Sequence, residues 1–563
     1  MKNLKKLTAL FLALLMIAST AVAITITSSA DTAITVADYD KEWYEAAKAV
    51  AIVKQATGVE TTNESIAIAD VYDLLAYNQL CTEDGDLVTC LNVHLTADID
   101  MTNVTWDHSK VEIGGTFDGR GHKIKNYTWS GSTSVGFFDY VHNLAVVKDI
   151  VFENVNVTST TYPIAAVSRA TNGIATFENV YVTGTVNGGT KGAGGLVGQV
   201  AGGTTKFINC VSDVDVAAKQ GYAGGFVGIQ NMAAAIQATD CAFIGSVSTG
   251  TTASLLNESG SAGFVARYIY GTAADGTTSS FTRCVVLGKG DADTAKYAPL
   301  FYLNNGTTAT NQNITVTDCY VVSPNGSVIG ATSTTAQHNL TFKFGDTTVA
   351  TVASGTKTAD KLADINAAFA ANGGYLVNGE TVNVTADNFG DKCAALAKAG
   401  WVVTGETTDY AEGKTIAKML PASAATMLGK TALTAPNATS YLQIKNGTDG
   451  KYDVRFIGAV NADDLAAYET VGFVVVVKLN GTAILTDTVE TKAVYTSIKA
   501  DGVDVTAETL GADYLNVLQI AGFKAENAYD ISVLSFAKRA NGTVVYDYAG
   551  ALEVTVQNAA VAQ

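Results

Sequence analysis

The chain has 563 residues, with 53 glycines but only 5 prolines, and 47% of its residues are apolar. This composition excludes a collagen and a disordered chain, and the length is enough for two to four domains. With 36 Lys and Arg residues against 53 Asp and Glu residues, the net charge is −17. We therefore exclude nucleic acid as a partner, because the chain has no basic block to neutralise phosphates.

The N-terminus has the pattern of a secretory signal peptide, which we assign to residues 1–30. Three lysines within the first six residues precede an apolar run, 7–18, and small residues then end at Ala23 or Ala30, the two predicted cleavage positions. Removal of residues 1–30 takes the net charge from −17 to −20, because three lysines and no acidic residue are lost. No other apolar run is long enough for a transmembrane helix, so we expect an extracellular protein, secreted or held non-covalently at the cell surface.

Residues 31–84 are predicted to form a helical cap. Trp43, Ala47 and Val50 follow a helical stripe, and a second helix is expected to open at Asp70. An uncovered sheet edge invites pairing with another chain, and helices at the end of a sheet protein cover that edge. The alternative interpretation is that the same apolar stripe binds a partner.

Residues 85–345 contain a repeat with two strand-like segments in each copy. The segments are 134–141, 163–170, 193–200, 223–230, 261–268 and 298–305, and then 151–158, 177–186, 207–216, 238–247, 281–290 and 316–325. Such units cannot bury their own apolar side but bury it continuously when they are stacked. The repeat therefore predicts a right-handed parallel β-helix.

Four cysteines occupy one position of this repeat. The aligned residues are Val155, Val180, Cys210, Cys241, Cys284 and Cys319, at spacings of 25, 30, 31, 43 and 35 residues. We predict that they face inward as small apolar side chains, with disulfides between neighbouring coils or a metal column as alternatives. A residue that can bond to a turn or to the next coil precedes most of these positions, and Arg283 is the exception. These residues are Asn154, Asn179, Asn209, Asp240 and Asp318.

The first coil contains the sequence GTFDGRGHKI, in which Asp118, Gly119 and Gly121 form a turn. Together with AGGLVGQV (193–200) and AGGFVGIQ (223–230), it resembles the GLUG-type repeat proteins, which are secreted or surface β-helices of bacteria. The resemblance covers roughly residues 85–345 and implies a pectin-lyase-like β-helix. It implies no particular activity, because such repeats lie beside adhesins, peptidases and uncharacterised exported proteins alike.

The rest of the chain divides into two regions. Residues 346–435 are predicted to be a helical cap and linker, because 357–379 has the pattern of an amphipathic helix. Residues 436–563 contain β-branched runs separated by Asn-Gly and Asp-Gly turns, which predict an antiparallel β-sandwich. Its segments RF (455–456), VGF (471–473) and VYTSI (494–498) make this region loosely similar to C-terminal modules of exported proteins from Gram-positive anaerobes. The predicted fold class is thus dominated by β-structure: a parallel β-helix with helical caps, then a small linker and a sandwich.

The sequence has no H-E-x-x-H, no G-x-S-x-G, no P-loop and no C-x-x-C, so we predict no catalytic site, cofactor or metal. The nearest approach to the acidic cluster of a β-helix lyase or glycosidase is Asp213 with Asp215, two residues apart on one strand face. Asp240 in the next coil and Arg283 beyond it would complete such a set. A solvated outer face explains the same residues without any catalysis.

Binding is the predicted function. Tyr222, Tyr268, Tyr270 and Tyr302 are expected near strand ends or loops, where exposed rings would stack on sugars, and core filling is the alternative. With Asp213 and Asp215 they are the candidate ligand contacts. We therefore predict an adhesin-like protein that contacts a carbohydrate or a host or cell-surface protein. The alternatives are a β-helix polysaccharide lyase or glycoside hydrolase, and a structural spacer of the cell envelope.

Overall fold

The computed structural model is mostly β, with a parallel β-helix of about 7 turns followed by antiparallel sheets, and this confirms the predicted fold class. The described residues are 33–57, 65–83, 91–189, 192–231, 234–250, 260–268, 278–290, 297–303, 313–323, 326–331, 339–377, 384–407, 415–430, 438–446, 450–460, 470–491, 494–500, 503–510, 512–538, 544–546 and 552–561. The predicted signal peptide, residues 1–30, lies outside them.

Three sheets form the β-helix. The long sheet contains the strands Ile66–Ile68, Val93–Leu95, Ile99–Asp100, Thr116–Asp118, Lys123–Lys125, Thr128–Gly131, Val146–Ser159, Ile174–Gly188, Gly203–Ile208, Val211–Ala218, Ala234–Thr239, Ala242–Phe243, Ser246–Thr249, Ser279–Thr282, Val285–Val286, Ile314–Thr317, Tyr320–Val322, Leu340–Phe344, Thr347–Val352 and Tyr375–Val377. The second sheet contains Glu112–Ile113, Phe138–Val141, Ser168–Thr171, Val197–Val200, Val227–Gln230, Val265–Tyr268, Phe301–Leu303 and Gly330–Ala331. The third contains Ile164–Ala165, Ala193–Gly194, Tyr222–Gly224, Gly260–Ala262 and Tyr297–Ala298.

Neighbouring coils place like side chains above one another inside the β-helix. The rings of Phe177 and Phe207 stack with centroids 5.3 Å apart, and those of Phe226 and Phe264 stack at 4.5 Å. Burying such apolar surface is favourable by about 25 cal/mol per Å², so each coil is stabilised mainly by the coils on either side of it.

The predicted alignment of the first repeat is wrong. The structure places Val180 opposite Ile150, so the spacing there is 30 residues, and Val155 lies opposite Gly184. Both coils contain the letters Phe-Glu-Asn-Val, at 152–155 and 177–180, but at different corners of the coil. The inward column is therefore Ile150, Val180 and the four cysteines.

The residue directly before each member of this column lies at a corner of its coil and has a left-handed backbone conformation. These residues all have φ between 48° and 54°: Asp149, Asn179, Asn209, Asp240, Arg283 and Asp318. Asn and Asp tolerate this region better than other residues with a side chain. The amide of Asn179 donates to Asp149 Oδ1 at 2.6 Å, and Asn209 donates to Asn179 Oδ1. The predicted bonding of this column to the next coil is confirmed for these residues.

The cysteine column faces the core. Cys210, Cys241, Cys284 and Cys319 are fully buried, and every described cysteine is a free thiol. The backbone bonds that join their coils include Ala242 N–H to Cys210 O at 3.0 Å. Burial raises the pKa of the Cys241 and Cys319 thiols. The predicted role as small apolar core residues is confirmed.

Two helices cover the start of the β-helix. Helix α1 spans Lys41–Thr57 and α2 spans Val71–Glu83. Asp70 caps α2 as predicted, because its Oδ1 accepts from the N–H of Tyr72 at 2.8 Å. Leu74, Leu75 and Tyr77 of α2 are buried against the first coils, and the Tyr77 and Phe117 rings meet edge to face at 6.1 Å.

Residues 346–435, predicted to be a helical cap and linker, pack on the β-helix in two places. Helix α3 (Leu362–Ala371) packs on the far end of the β-helix, where the Phe369 and Phe342 rings lie 5.8 Å apart. The described residues 384–407 and 415–430, here called the side unit, pack on the outer face instead. They comprise α4 (Phe389–Lys392), α5 (Ala394–Lys398), the strands Trp401–Thr407 and Ile416–Pro421, and α6 (Ala422–Met427). The side unit covers an outward apolar column, Val151, Tyr181, Val211, Ala242, Val285 and Tyr320.

The C-terminal region consists of antiparallel sheets. One contains Ala438–Asn446, Lys451–Val460 and Tyr514–Lys524. A second contains Thr482–Thr491, Thr470–Leu479, Tyr529–Lys538, Val544–Tyr546, Leu552–Gln557 and Ala560–Val561, and Ser497–Ala500 pairs with Val503–Thr506. Side chains of the first two sheets share one core, to which Phe456, Val475 and Ile531 belong.

Candidate functional site

A groove lies between the outer face of the β-helix and the side unit, with a cavity volume of about 440 Å³. Its floor is apolar and comes from the β-helix, through Ile244, Leu287 and Val322. Its opposite wall is the hairpin of the side unit, with residues 404–407 and 416–420. Charged side chains from both sides complete the lining. They are Asp213, Lys289, Glu406, Lys418 and Lys430.

Strand alternation places Asp213 at the groove. In the strand Val211–Ala218, Val214 and Val216 are buried while Asp213 and Asp215 point outward, as predicted from their spacing. Only Asp213 lines the groove. Asp215 is more exposed, and its Oδ1 accepts a hydrogen bond from Ser246 Oγ of the next coil at 2.6 Å.

The hairpin wall is irregular at the groove. Val403 pairs with Met419, and the register of the hairpin then shifts before Gly405. Gly405 has a φ of 155°, which residues that carry a side chain rarely adopt. The following residue, Glu406, is held by the N–H of Ala386, which donates to its Oε1 at 2.7 Å. Glu406 is therefore fixed at the rim by the side unit itself.

The charges around Asp213 act on it in opposite directions. Burial is the largest influence and raises the pKa of Asp213 above the ordinary value of an aspartate. Lys430 and Lys418 favour its charged form, and Asp215 disfavours it. The net effect is a raised pKa, so Asp213 binds a proton more readily than an exposed aspartate does.

The other two charged residues singled out from the sequence do not line the groove. Arg283 and Asp240 form a bidentate ion pair, with nitrogen to oxygen distances of 2.6 and 2.7 Å. The indole N–H of Trp401 donates to the same Asp240 carboxylate at 3.3 Å. This pair therefore attaches the side unit to the β-helix and is separate from Asp213.

A second polar contact holds the side unit on the corner column. The hydroxyl of Tyr181 donates to Ser423 Oγ at 3.3 Å, and the amide of Asn209 donates to the Tyr181 oxygen at 3.0 Å. Because Tyr181 also belongs to the covered apolar column, its ring and hydroxyl both contact the side unit. The groove thus has one wall fixed by packing and by partly buried hydrogen bonds.

The expected exposure of Tyr222 and Tyr268 is wrong. Tyr222 is 1% exposed and packs with Ile229 and Ala266. Tyr268 is fully buried, because its register opposite Gln230 places it in an inward column of the second sheet. These two rings fill the core, which is the alternative that the sequence left open.

The other two tyrosines differ. Tyr302 is partly exposed, and its ring packs so closely on Gly330 that a Cβ there would lie only 2.3 Å from the ring. It does not line the groove. Tyr270 lies outside the described residues. No tyrosine proposed from the sequence is therefore placed at the groove by the structure.

The lysines and Glu406 of the groove were not identified from the sequence. Glu406, Lys418 and Lys430 belong to a segment that has no repeat and no motif, and their meeting with Asp213 depends on how that segment packs. Within the described ranges, no cluster of three or more His, Cys, Asp or Glu side chains is arranged to hold a metal ion.

Comparisons with protein-family models, with curated proteins and with solved structures found no match. None of the helices in the described ranges is both long and apolar enough to cross a membrane.

Proposed function

We propose that this chain is an extracellular, adhesin-like binding protein that contacts glycans through the groove. The resemblance of its repeats to the GLUG-type surface proteins and the signal-like N-terminus support the location. Asp213, one of the ligand contacts proposed from the sequence, supports the place of binding.

The observation that carries the proposal is the lining of the groove. Its floor is aliphatic, with Ile244, Leu287 and Val322, and its rim is charged or hydroxylic, with Asp213 and residues 404–407. A sugar ring has an apolar C–H face and an edge of hydroxyl groups, so it matches a floor and rim of this kind. Ligand sites in general combine an apolar surface with a few polar groups that fix orientation.

The test is an array of oligosaccharides probed with residues 31–563 and with the variant Leu287→Trp. Leu287 is half-buried on the floor, and an indole there occupies the volume that a sugar ring needs. We expect at least a tenfold loss of affinity, which is about 1.4 kcal/mol. The control is Ile208→Trp, because Ile208 is 38% exposed on the β-helix and does not line the groove.

Binding that survives Leu287→Trp unchanged, in a variant with the wild-type unfolding temperature, would show that the groove is not the site. If no oligosaccharide is retained by the wild-type chain, the glycan-binding function is wrong. The structural spacer then becomes the better account.

One observation favours a second candidate, a β-helix glycoside hydrolase or polysaccharide lyase. Burial raises the pKa of Asp213, and a carboxylic acid with a raised pKa is what a glycosidase uses as its general acid. The same oligosaccharides should therefore be assayed for reducing or unsaturated ends. Release of such ends that Asp213→Ala abolishes would replace the binding function with catalysis.

A further inference from the structure

Resting on the proposed glycan-binding function, we infer that the groove takes a negatively charged saccharide, one that carries carboxylate or sulfate groups. The inference depends on three lysines that meet at the groove from separate parts of the chain. Lysine ammonium groups bind carboxylate and sulfate oxygens through charge-assisted hydrogen bonds.

The three lysines come from three different elements. Lys289 lies on the β-helix, one coil beyond Ser246. The backbones of these two residues form an isolated parallel β-bridge. Lys418 belongs to the strand Ile416–Pro421, and Lys430 follows α6. All three side chains are exposed and line one cavity. Such convergence depends on tertiary packing, since Lys289 is 129 residues from Lys418 in the sequence.

Two of these lysines have no carboxylate of their own. In the part of the chain that the structure describes, neither Lys418 nor Lys430 forms an ion pair, although other surface lysines such as Lys123 and Lys125 do. Both act electrostatically on Asp213. Their ammonium groups therefore lie where they can neutralise negative charge in the groove. Asp213 supplies only part of that negative charge.

The two carboxylates at the groove do not cancel this preference. Glu406 accepts a backbone hydrogen bond from Ala386, which satisfies part of its charge within the side unit. Asp213 is half-buried, and Lys418 and Lys430 both stabilise its charged form. Three lysines line the groove against two carboxylates, so the lining keeps a net positive charge.

The rest of the molecule makes the groove a local exception. The chain has a net charge of −17, so most of its surface repels an anion. A cleft with low-dielectric walls concentrates the field of the charges that line it, and the aliphatic floor here provides such walls. An anionic saccharide is therefore directed to this groove and away from the other faces.

The experiment compares neutral, carboxylate-bearing and sulfated oligosaccharides on one array, with the wild-type chain and the double variant Lys418→Glu/Lys430→Glu. The matched control is Lys478→Glu/Lys524→Glu, which changes the net charge equally at two exposed positions of the C-terminal sheets. We expect retention of anionic sugars, at least a tenfold loss of affinity in the groove variant only, and weaker binding as NaCl rises from about 50 to 300 mM. The carboxylate and sulfate arms identify which anion is bound.

Retention of neutral sugars as strong as that of anionic ones, and unchanged in the groove variant, overturns this inference and leaves the proposed function in place. An equal loss in the groove variant and the control variant also overturns it, because net charge and not the groove would then be responsible. If no sugar of any class is retained, the proposed function itself fails.

Discussion

At the scale of single residues, the corner positions show how a left-handed backbone conformation favours Asn and Asp in the sequence. Asn179 has φ of 53°, donates to Asp149, and accepts from Asn209. It therefore serves both the conformation of its own coil and the hydrogen bonding between three successive coils. These two contributions can be separated by substitution.

We expect Asn179→Ala to lower the free energy of unfolding by about 1–3 kcal/mol, because alanine loses the side-chain bonds and is strained at positive φ. Asn179→Gly loses the same bonds without that strain and should be less destabilising. Urea unfolding of both variants measures the difference. Equal losses for the two variants would mean that the left-handed backbone contributes nothing to the preference for asparagine here.

The same column shows what the sequence could and could not predict at this scale. The recurrence of Asn and Asp was visible, and it indicated a turn position correctly. Arg283 is the exception in the sequence pattern, yet it has φ of 48° and continues the column through its ion pair with Asp240. Its partner lies 43 residues earlier, so only the stacking of coils brings the two charges together.

At the scale of elements, repeated letters predicted the coils but not always their register. The strands of the second sheet pair as the glycine-rich segments predicted, with Val197 opposite Val227. In the long sheet, identical Phe-Glu-Asn-Val letters fall at two different corners of successive coils. Asn154 also has positive φ, as Asp149 does, and it bonds to Asn126, so the first of these coils has two corners with the same requirement. A single-sequence alignment cannot distinguish two such corners.

The side unit was beyond sequence prediction for another reason. Each residue of the outward column directly follows an inward one, as Val211 follows Cys210, and two adjacent apolar residues are typical of any parallel strand that is covered on both faces. Nothing in this pattern tells which segment covers the outer face. The groove, which requires both partners, could not be predicted either.

Trp401 tests the attachment of the side unit. It is 1% exposed, packs in the apolar core between the side unit and the β-helix, and donates to Asp240. We expect Trp401→Ala to reduce the free energy that holds the side unit on the β-helix by about 3–5 kcal/mol. Residues 384–430 should then become susceptible to limited proteolysis while the β-helix stays resistant. Mass spectrometry of the fragments locates the cuts. The control is Trp129→Ala, because Trp129 is only partly buried near the N-terminal coils. Cleavage at identical sites and rates in wild type and Trp401→Ala would contradict this attachment.

At the scale of the whole molecule, stacked parallel coils bury the apolar surface of their neighbours everywhere except at the two ends of the stack. Helices α2 and α3 cover those ends, with Leu75 and Phe369 buried against the terminal coils. An uncovered end would present unpaired strand edges and an open apolar core to a second molecule. The cap helices are therefore predicted to control association as well as stability.

Leu75 provides the test of this role. It is fully buried, so Leu75→Asp places a carboxylate in the core and should displace α2 from the first coil. We expect a shift to larger assemblies than the wild-type chain forms, measured by size-exclusion chromatography with light scattering, while circular dichroism keeps its β-sheet signal. The matched control is Thr82→Asp, an exposed position on the same helix, which should behave as wild type. If Leu75→Asp displaces α2, seen as cleavage within 71–83, and the chain keeps its wild-type size, the coil end does not need a cover and the cap serves stability alone.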